Sequence, residues 1–283
     1  MQDFFKLDED FDSIIRNVLS EKGITKIDDI QMITTGWTNI VFKAYSEEEN
    51  YYFRFPRDDF WERTIVKDYE FCKYINGKTS FETCKLELHY DKERPFSVHK
   101  EIPGTPIAHV MNKLSQNDVK KVSEQIAKFM YELHNLKYDK SEIFNITANI
   151  GLDLNDFIEE LLRVHVSEED YEFWKTEDLI DKSSEAKCLV HGDLNSSNVI
   201  LDDKNNVKAV IDFGFGGFGN KYNDLARIIG RCPEEFKEEI AKSYEKLEGK
   251  KLNLEELNRE IKVWSNIDGG YINYMRKIGI YGD

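Results

Sequence analysis

Three oxygen-bearing side chains in the C-terminal half of the sequence have the types and spacing that phosphoryl transfer requires. Asp193 and Asn198 lie five residues apart on one polar stretch, and Asp212 belongs to the apolar run Val207 to Phe213. Asn and Asp residues between two short β-branched runs indicate a β-hairpin, which would return Asp212 to the first two residues. The reaction needs one carboxylate to accept a hydroxyl proton, and an amide and a second carboxylate to hold Mg²⁺ on a triphosphate.

The order of these residues also resembles a known group of kinases. The stretch His191-Gly-Asp-Leu-Asn-Ser-Ser-Asn198 and the later Ile211-Asp-Phe-Gly214 follow the protein-kinase pattern, except that glycine replaces the arginine of the catalytic loop. In this form the two motifs resemble those of the aminoglycoside phosphotransferase and choline kinase group. The alternative is a surface hairpin whose polar residues only form turns. Because loop and hairpin occur in the correct order and spacing, the kinase interpretation is favoured.

The resemblance implies a fold and a division of the chain. The expected fold is α+β, two-lobed and protein-kinase-like. A small N-terminal lobe, with an antiparallel sheet and one main helix, would cover residues 1–102 and bind the nucleotide. A larger, mostly helical lobe would cover residues 103–283 and carry the catalytic hairpin and the substrate site.

The resemblance also implies a role for each polar residue of the two motifs. Asp193 is expected to be the catalytic base, and Asn198 and Asp212 are expected to hold Mg²⁺. His191 is expected to support the loop by hydrogen bonding. Asp224, in Asp-Leu-Ala after the second motif, resembles the carboxylate that braces the loop. The co-substrate is then ATP or GTP, and the sequence does not decide between them.

Several N-terminal residues are expected to contact the nucleotide. A strand-like run carries Arg54 where the family has the lysine that holds the α- and β-phosphates; arginine keeps the charge but is bulkier. Glu70, on the following helix, resembles the glutamate that pairs with this cation. Gly36 lies in the turn of the phosphate-covering loop, and the backbone of His99 to Ile102 is expected to meet the adenine edge. An ordinary turn and a solvated helix charge are the alternatives for Gly36 and Glu70.

Hydrophobic periodicity predicts the elements that must position these groups. Helices are predicted over residues 8–22, 61–76, 115–135, 153–164 and 168–182, with two more near Pro233 and Leu252. Strands are predicted over residues 27–34, 40–45, 51–55, 86–90 and 96–102, and in the hairpin over 199–201 and 207–213.

The sequence leaves the phosphate acceptor open. Glu159 and Glu160 lie where acidic helix residues bind drug amines in aminoglycoside kinases, and Asp268 and Tyr271 form a second candidate substrate pair. Solvated helix faces and core packing are the alternative interpretations. Phe215 suggests a more apolar substrate entrance, so a macrolide, choline or a sugar stays possible as the acceptor. A nucleotide-binding pseudokinase that acts as a regulator is the third alternative.

Composition narrows the class of protein. The 283 residues carry a net charge of −15, which disfavours nucleic acid and would attract a cationic, hydroxylated small molecule. The four cysteines have no close spacing, which argues against a zinc site and a disulfide framework and favours a reducing compartment. No apolar run has the length of a membrane span. We therefore expect a cytoplasmic, monomeric enzyme without a membrane or nucleic-acid partner.

Overall fold

The protein is described by a computed structural model over residues 5–34, 38–138, 160–161, 163 and 188–277. In chain order the N-terminal elements are helix α1 (Phe11–Glu21), strands β1 (Ile27–Ile33), β2 (Asn39–Ser46) and β3 (Tyr51–Pro56), helix α2 (Asp59–Ile75), and strands β4 (Glu87–Asp91) and β5 (Arg94–Lys100). The five strands form one antiparallel sheet in the order β1-β2-β3-β5-β4.

Alternating burial along β3 determines which of its side chains face the catalytic region. Tyr51, Phe53 and Phe55 are buried on one side of the sheet, whereas Tyr52 and Arg54 lie on the other. The buried rings share a core cluster with the apolar stripe of α1. Because each buried ring contributes roughly 2–3 kcal/mol, this packing fixes the side of the sheet from which the arginine projects.

The second part of the chain is mainly helical. It contains strand β6 (Thr105–Pro106), two 3₁₀ turns (Ile107–His109 and Met111–Lys113), helix α3 (Gln116–His134), strands β7 (Cys188–Val190), β8 (Val199–Leu201), β9 (Val207–Val210) and β10 (Gly217–Gly219), and helices α4 (Lys221–Ile229), α5 (Glu234–Glu248) and α6 (Leu254–Lys277). Strand β8 pairs with β6 and β9, and β7 pairs with β10, all antiparallel.

Helix α3 supports the C-terminal part. Ser115 caps the helix by accepting a hydrogen bond from the backbone N–H of Asp118 at 3.2 Å. Apolar residues at intervals of three or four along α3 are buried against those of α5. Helix α5 ends at Gly249, whose φ of 69° is a left-handed conformation that glycine adopts without steric strain. This packing places His134, at the end of α3, 2.7 Å from the hydroxyl of Tyr244.

The structure agrees with the predicted α+β class and with most predicted elements. The first three predicted helices are observed as α1, α2 and α3, with ends that differ by at most three residues. The helices predicted over 153–164 and 168–182 lie outside the described residues, apart from positions 160, 161 and 163. The strand predicted over 207–213 was too long: β9 ends at Val210, because Asp212 has a φ of 69° that no strand accommodates.

The apolar residues form two core clusters. One contains α1 and the N-terminal sheet, and the other contains α3 to α6 together with the second half of α2. The division of lobes at residues 102 and 103 stays a prediction. None of the helices in the described parts of the chain is long and apolar enough to cross a membrane.

Candidate active site

A cavity of about 430 Å³ lies between the N-terminal sheet and the hairpin formed by β8 and β9. It brings together Asp193, Asn198 and Asp212 with Arg54, as the sequence predicts. The other lining residues are Thr38, Asn39, Val41, Trp61, Thr64, Leu161, Asn195, Ser197, Gly214, Phe215, Arg227, Arg231, Trp264, Ile267 and Asp268.

The turn between β8 and β9 is closed by its own polar residues. The Asp202 carboxylate accepts hydrogen bonds from the backbone N–H groups of Lys204 at 2.9 Å and Asn206 at 2.7 Å. Asn205 takes the left-handed conformation, with a φ of 56°. This local chemistry reverses the chain and returns Asp212 to the loop that carries Asp193.

The loop from 191 to 198 is held by hydrogen bonds to its own backbone. The Asp193 carbonyl accepts from the side-chain amides of Asn195 at 3.2 Å and Asn198 at 3.0 Å. The Asp193 backbone N–H donates to Nδ1 of His191 at 3.2 Å, and Nε2 of His191 donates to the carbonyl of Ile211 at 2.9 Å. His191 therefore links the loop to the end of β9, which fits its predicted supporting position.

Asp224 braces the start of this loop from below. Its carboxylate is fully buried and accepts the backbone N–H groups of His191 and Gly192, both at 2.8 Å. His134 lies 3.1 Å from the same carboxylate. Burial opposes ionisation of Asp224, but hydrogen bonds from the His134 side chain and the His191 backbone hold the pKa of Asp224 below its usual value. A buried, ionised acceptor of this kind makes strong hydrogen bonds to the loop backbone.

Gly192 is required where the loop passes Phe215. Its φ is 80°, in the left-handed region that favours glycine. A Cβ at this position would lie 2.3 Å from the Phe215 carbonyl oxygen. The glycine that replaces the protein-kinase arginine therefore permits a close backbone approach between the loop and the segment after Asp212.

Arg54 pairs with a different helix residue than the sequence suggested. Its guanidinium forms one ion pair with Asp68 of α2 and a second, at 2.8 Å, with Asp212. The prediction that Glu70 pairs with Arg54 was wrong. Residues two apart on a helix point about 200° apart. Asp68 shares the buried side of α2 with Cys72, and its carboxylate also accepts the backbone N–H of Phe213 at 2.8 Å, whereas Glu70 lies on the other side.

The donor set at the end of the hairpin suits a magnesium ion on a triphosphate. Mg²⁺ takes one or two protein oxygen ligands and completes its shell with phosphate oxygens and water, and Asp212 and Asn198 offer one carboxylate and one amide oxygen. Because the Nδ2 of Asn198 donates to the loop carbonyl, its amide oxygen stays available as a ligand. Burial opposes ionisation of Asp212, but Arg54 holds the pKa of this carboxyl below its usual value, so it stays an anionic ligand.

His99, Ile102 and Gly36 are the other residues that the sequence analysis expects to contact the nucleotide. His99 stacks on Tyr52, with ring centroids 5.4 Å apart and planes 14° apart, and its Nδ1 donates to the Lys100 carbonyl at 2.9 Å. Ile102 packs against the C-terminal core. Neither residue is among those that line the cavity, and their backbone contact with adenine stays a prediction. Gly36 lies outside the described residues.

Of the predicted acceptor residues, Glu160 and Asp268 are described by the structure, and both carboxylates form ion pairs. Glu160 forms an ion pair with Arg63 of α2 at 2.6 Å. Asp268 lines the cavity, but Arg227 at 2.7 Å and Arg231 both engage its carboxylate. Glu159 lies outside the described residues, and so does the side chain of Tyr271.

Sequence reasoning missed two residues of this site, Asp68 and Arg227. The Nε of Arg227 donates to Oδ1 of Asp193 at 2.6 Å. A signal for it was present, because Arg227 follows Asp224 by three residues on α4, and positions i and i+3 of a helix face the same way. The signal for Asp68 was its place four residues before the buried Cys72 on one stripe of α2.

Comparison with known proteins gives a family and a fold. The model of the phosphotransferase enzyme family (APH) matches residues 29–258. Similar solved structures include the gentamicin complex of APH(2")-IIa, with a TM-score of 0.68, 22% identity, and 96% of this chain and 93% of that chain covered. The GDP complex of wild-type aminoglycoside 2'-phosphotransferase-IIIa has a TM-score of 0.69 and 14% identity, covering 96% of this chain and 94% of that chain.

A third similar structure is that of a macrolide phosphotransferase. The macrolide 2'-phosphotransferase MphH from Brachybacterium faecium has a TM-score of 0.62 and 15% identity, with 94% of this chain and 93% of that chain covered. At such identities the likeness shows the fold alone. It confirms the kinase-like α+β fold expected from the two sequence motifs.

Proposed function

This chain belongs to the phosphotransferase enzyme family, and from that premise we propose that it moves the γ-phosphoryl group of ATP or GTP to a hydroxyl of a small molecule. One observation carries the proposal: Asp193, Asn198 and Asp212 line a single cavity, in which Arg54 is ion-paired to Asp212. These groups are a proton acceptor, two metal ligands and a cation for the phosphates, which together are the requirements of phosphoryl transfer.

In the proposed reaction the acceptor hydroxyl lies against the Asp193 carboxylate. Asp193 accepts the hydroxyl proton as the new oxygen–phosphorus bond forms, and the nucleoside diphosphate leaves with the electron pair of the broken phosphorus–oxygen bond. Arg54 donates its N–H groups to phosphate oxygens and offsets the charge that develops there. Asn198 and Asp212 would hold Mg²⁺, which would supply a Lewis acid to the triphosphate.

An aminoglycoside is the first acceptor class that we propose. The similar structures include a gentamicin complex of APH(2")-IIa. The net charge of −15 attracts a polycation. In this proposal Glu159 and Tyr271 stay candidates for contacts with the acceptor, and the enzyme is a cytoplasmic monomer without nucleic-acid or membrane partners.

A hydroxylated acceptor with an apolar face, such as a macrolide, is the second candidate. Trp61, Phe215 and Trp264 line the cavity, and the rings of Trp61 and Phe215 lie 6.2 Å apart. Asp268 is already engaged by two arginines, so a substrate amine would have to compete for it. One of the similar structures is a macrolide 2'-phosphotransferase.

Nucleotide consumption with a panel of acceptors tests the proposal. The protein, Mg²⁺ and either ATP or GTP would be mixed with aminoglycosides, macrolides, choline or sugars, and diphosphate release and the phosphorylated product would be measured. We expect acceptor-dependent turnover. The Asp193→Asn variant should turn over about 10²–10⁴-fold more slowly, because it lacks the base, while its nucleotide affinity is unchanged. Nucleotide binding with no turnover for any acceptor would instead favour a pseudokinase regulator.

A further inference from the structure

Arg227 holds the side chain of the proposed catalytic base. Its guanidinium Nε lies 2.6 Å from Oδ1 of Asp193, and only 8% of its side chain is exposed. Sequence reasoning had assigned this arginine no role. None of the described residues forms a hydrogen bond to Oδ2 of Asp193, so the second carboxylate oxygen stays available for an acceptor hydroxyl.

The guanidinium of Arg227 is itself fixed on two further sides. Its Nη1 donates to both carboxylate oxygens of Asp268, each at 2.7 Å. Its guanidinium carbon also lies 4.5 Å from the ring centroid of Trp264. A planar guanidinium that is held by a carboxylate and packed on an aromatic ring keeps its remaining N–H groups in fixed directions. Asp193 therefore meets a donor that does not need to reorganise.

Helix α4 contacts the catalytic loop twice from one face. Asp224 accepts the backbone N–H groups of His191 and Gly192, and Arg227, three residues later, holds the side chain of Asp193. The first contact fixes the position of the loop, and the second restricts the rotation of the carboxylate. Because catalysis by a general base depends on alignment with the attacking hydroxyl, such a restriction affects turnover more than binding.

We propose that Arg227 is a positioning residue, anchored by Asp268 and Trp264, that holds Oδ1 of Asp193 and thereby directs Oδ2 to the acceptor hydroxyl. The inference rests on the proposed phosphotransferase function. It also assigns Asp268 a different role from the one that the sequence suggested: this carboxylate anchors the arginine and does not bind an amine of the acceptor.

Arg94 provides a matched control elsewhere in the molecule. It too is a buried arginine, with 6% of its side chain exposed, and it pairs with Glu9 at 2.9 Å and with Asp91. Its guanidinium carbon lies 4.0 Å from the ring centroid of Phe5. The environment of Arg94 thus resembles that of Arg227 in burial, ion pairing and aromatic contact, but Arg94 does not line the cavity.

Turnover of Arg227→Gln and Arg94→Gln, measured with the same acceptor, tests the inference. We expect the first variant to lose about 100-fold in kcat with KM values for nucleotide and acceptor within about threefold of the original protein. We expect the second variant to lose free energy of unfolding in urea but to keep its kcat. An Arg227→Lys variant, which fills the same space with one charge and no planar fork, should have an intermediate kcat and serves if Arg227→Gln does not fold.

Chemical rescue separates positioning from structural support. Added guanidinium ion, at concentrations well below denaturing ones, should raise the kcat of Arg227→Ala, because it restores a planar donor beside Asp193. A variant Arg227→Gln with the original kcat, or an equal loss of kcat in both glutamine variants, would overturn the inference and leave the proposed function standing. If the unaltered protein transfers no phosphate to any acceptor, both proposals fall.

Discussion

At the scale of single residues, Arg54 is the point where three parts of the chain meet. It lies on β3, pairs with Asp68 of α2, and pairs with Asp212 after β9. Asp68 is almost completely buried, and it also accepts the backbone N–H of Phe213. A buried arginine deprived of one partner retains a charge that is only partly compensated.

We therefore predict that Asp68→Asn lowers the free energy of unfolding by about 3 kcal/mol, since removal of one partner of a buried ion pair typically costs this much. Glu70→Gln is the control on the same helix. Its effect should stay within about 0.5 kcal/mol, as is usual for substitutions outside packed or ion-paired positions. Urea denaturation of both variants measures the difference. Equal losses would contradict the assignment of Asp68 as the partner of Arg54.

A second prediction at this scale concerns Asp212, the proposed metal ligand. Asp212→Ala should abolish the Mg²⁺ dependence of nucleotide binding, because one amide oxygen is left to hold the ion. Asp203→Ala is the control, since Asp203 is an exposed residue of the same hairpin. Titration calorimetry with and without Mg²⁺ compares them. Nucleotide affinity that still rises with Mg²⁺ in Asp212→Ala would contradict the assignment.

The sequence predicts the local part of this site and not the long-range part. Asp193, Asn198 and Asp212 lie within 20 residues on one hairpin, so turn chemistry alone brings them together. Asp68 contacts Arg54, and Arg227 contacts Asp193, only because α2 and α4 have particular rotations about their axes. Tertiary packing determines these rotations. To choose between Asp68 and Glu70 as the partner of Arg54, the rotation of α2 about its own axis must be known to within half a turn. The resemblance to a kinase family does not supply this rotation.

At the scale of elements, helix positions followed from hydrophobic spacing, whereas strand ends depended on backbone conformation. Hydrophobic spacing predicts α1, α2 and α3 because each of these helices buries one apolar face. The run from Val207 to Phe213 contains five apolar residues among seven, yet β9 stops at Val210. Burial alone does not distinguish a strand from a buried turn. Asp adopts a left-handed φ such as that of Asp212 more often than most residues do, but the residue type does not require it.

The catalytic loop allows a prediction at the element scale, in which two glycines of like conformation are compared. Gly192 has a φ of 80°, and a Cβ added to it would lie 2.3 Å from the carbonyl oxygen of Phe215. Gly23 has a φ of 81°, but a Cβ added there would have no atom within 4 Å. Gly23→Ala should therefore cost only the conformational strain, about 1–2 kcal/mol. Gly192→Ala should cost more and also lower kcat, because the loop must move away from Phe215.

Thermal or urea unfolding together with turnover measures both effects in the two glycine variants. Retention of kcat in Gly192→Ala would show that the loop tolerates the shift, and that the close approach to Phe215 is not needed for catalysis.

At the scale of the whole molecule, the half-buried His99 makes stability depend on pH. Burial lowers the pKa of His99 to about 4, against about 6.5 in an unfolded chain. Between these values the unfolded state binds a proton that the folded state does not. Stability therefore rises with pH through this window, and it is lost as pH falls from 6.5 towards 4.

The contribution of His99 to this pH dependence is at most about 3.4 kcal/mol, at 1.36 kcal/mol per pKa unit, and partial exposure of the ring reduces it. We predict that His99→Gln flattens the dependence of the free energy of unfolding on pH between 4.5 and 6.5. Urea denaturation at several pH values, with the original protein as reference, measures the slope. An unchanged slope would show that other groups determine the acid sensitivity.

The double ion pair of Arg54 has a consequence for the order in which ligands enter. Under the proposed function, a triphosphate that contacts this guanidinium would weaken its hold on Asp212, and the released carboxylate would coordinate a divalent cation. Metal and nucleotide are thus coupled through one exchange of partners, and each should raise the affinity of the other.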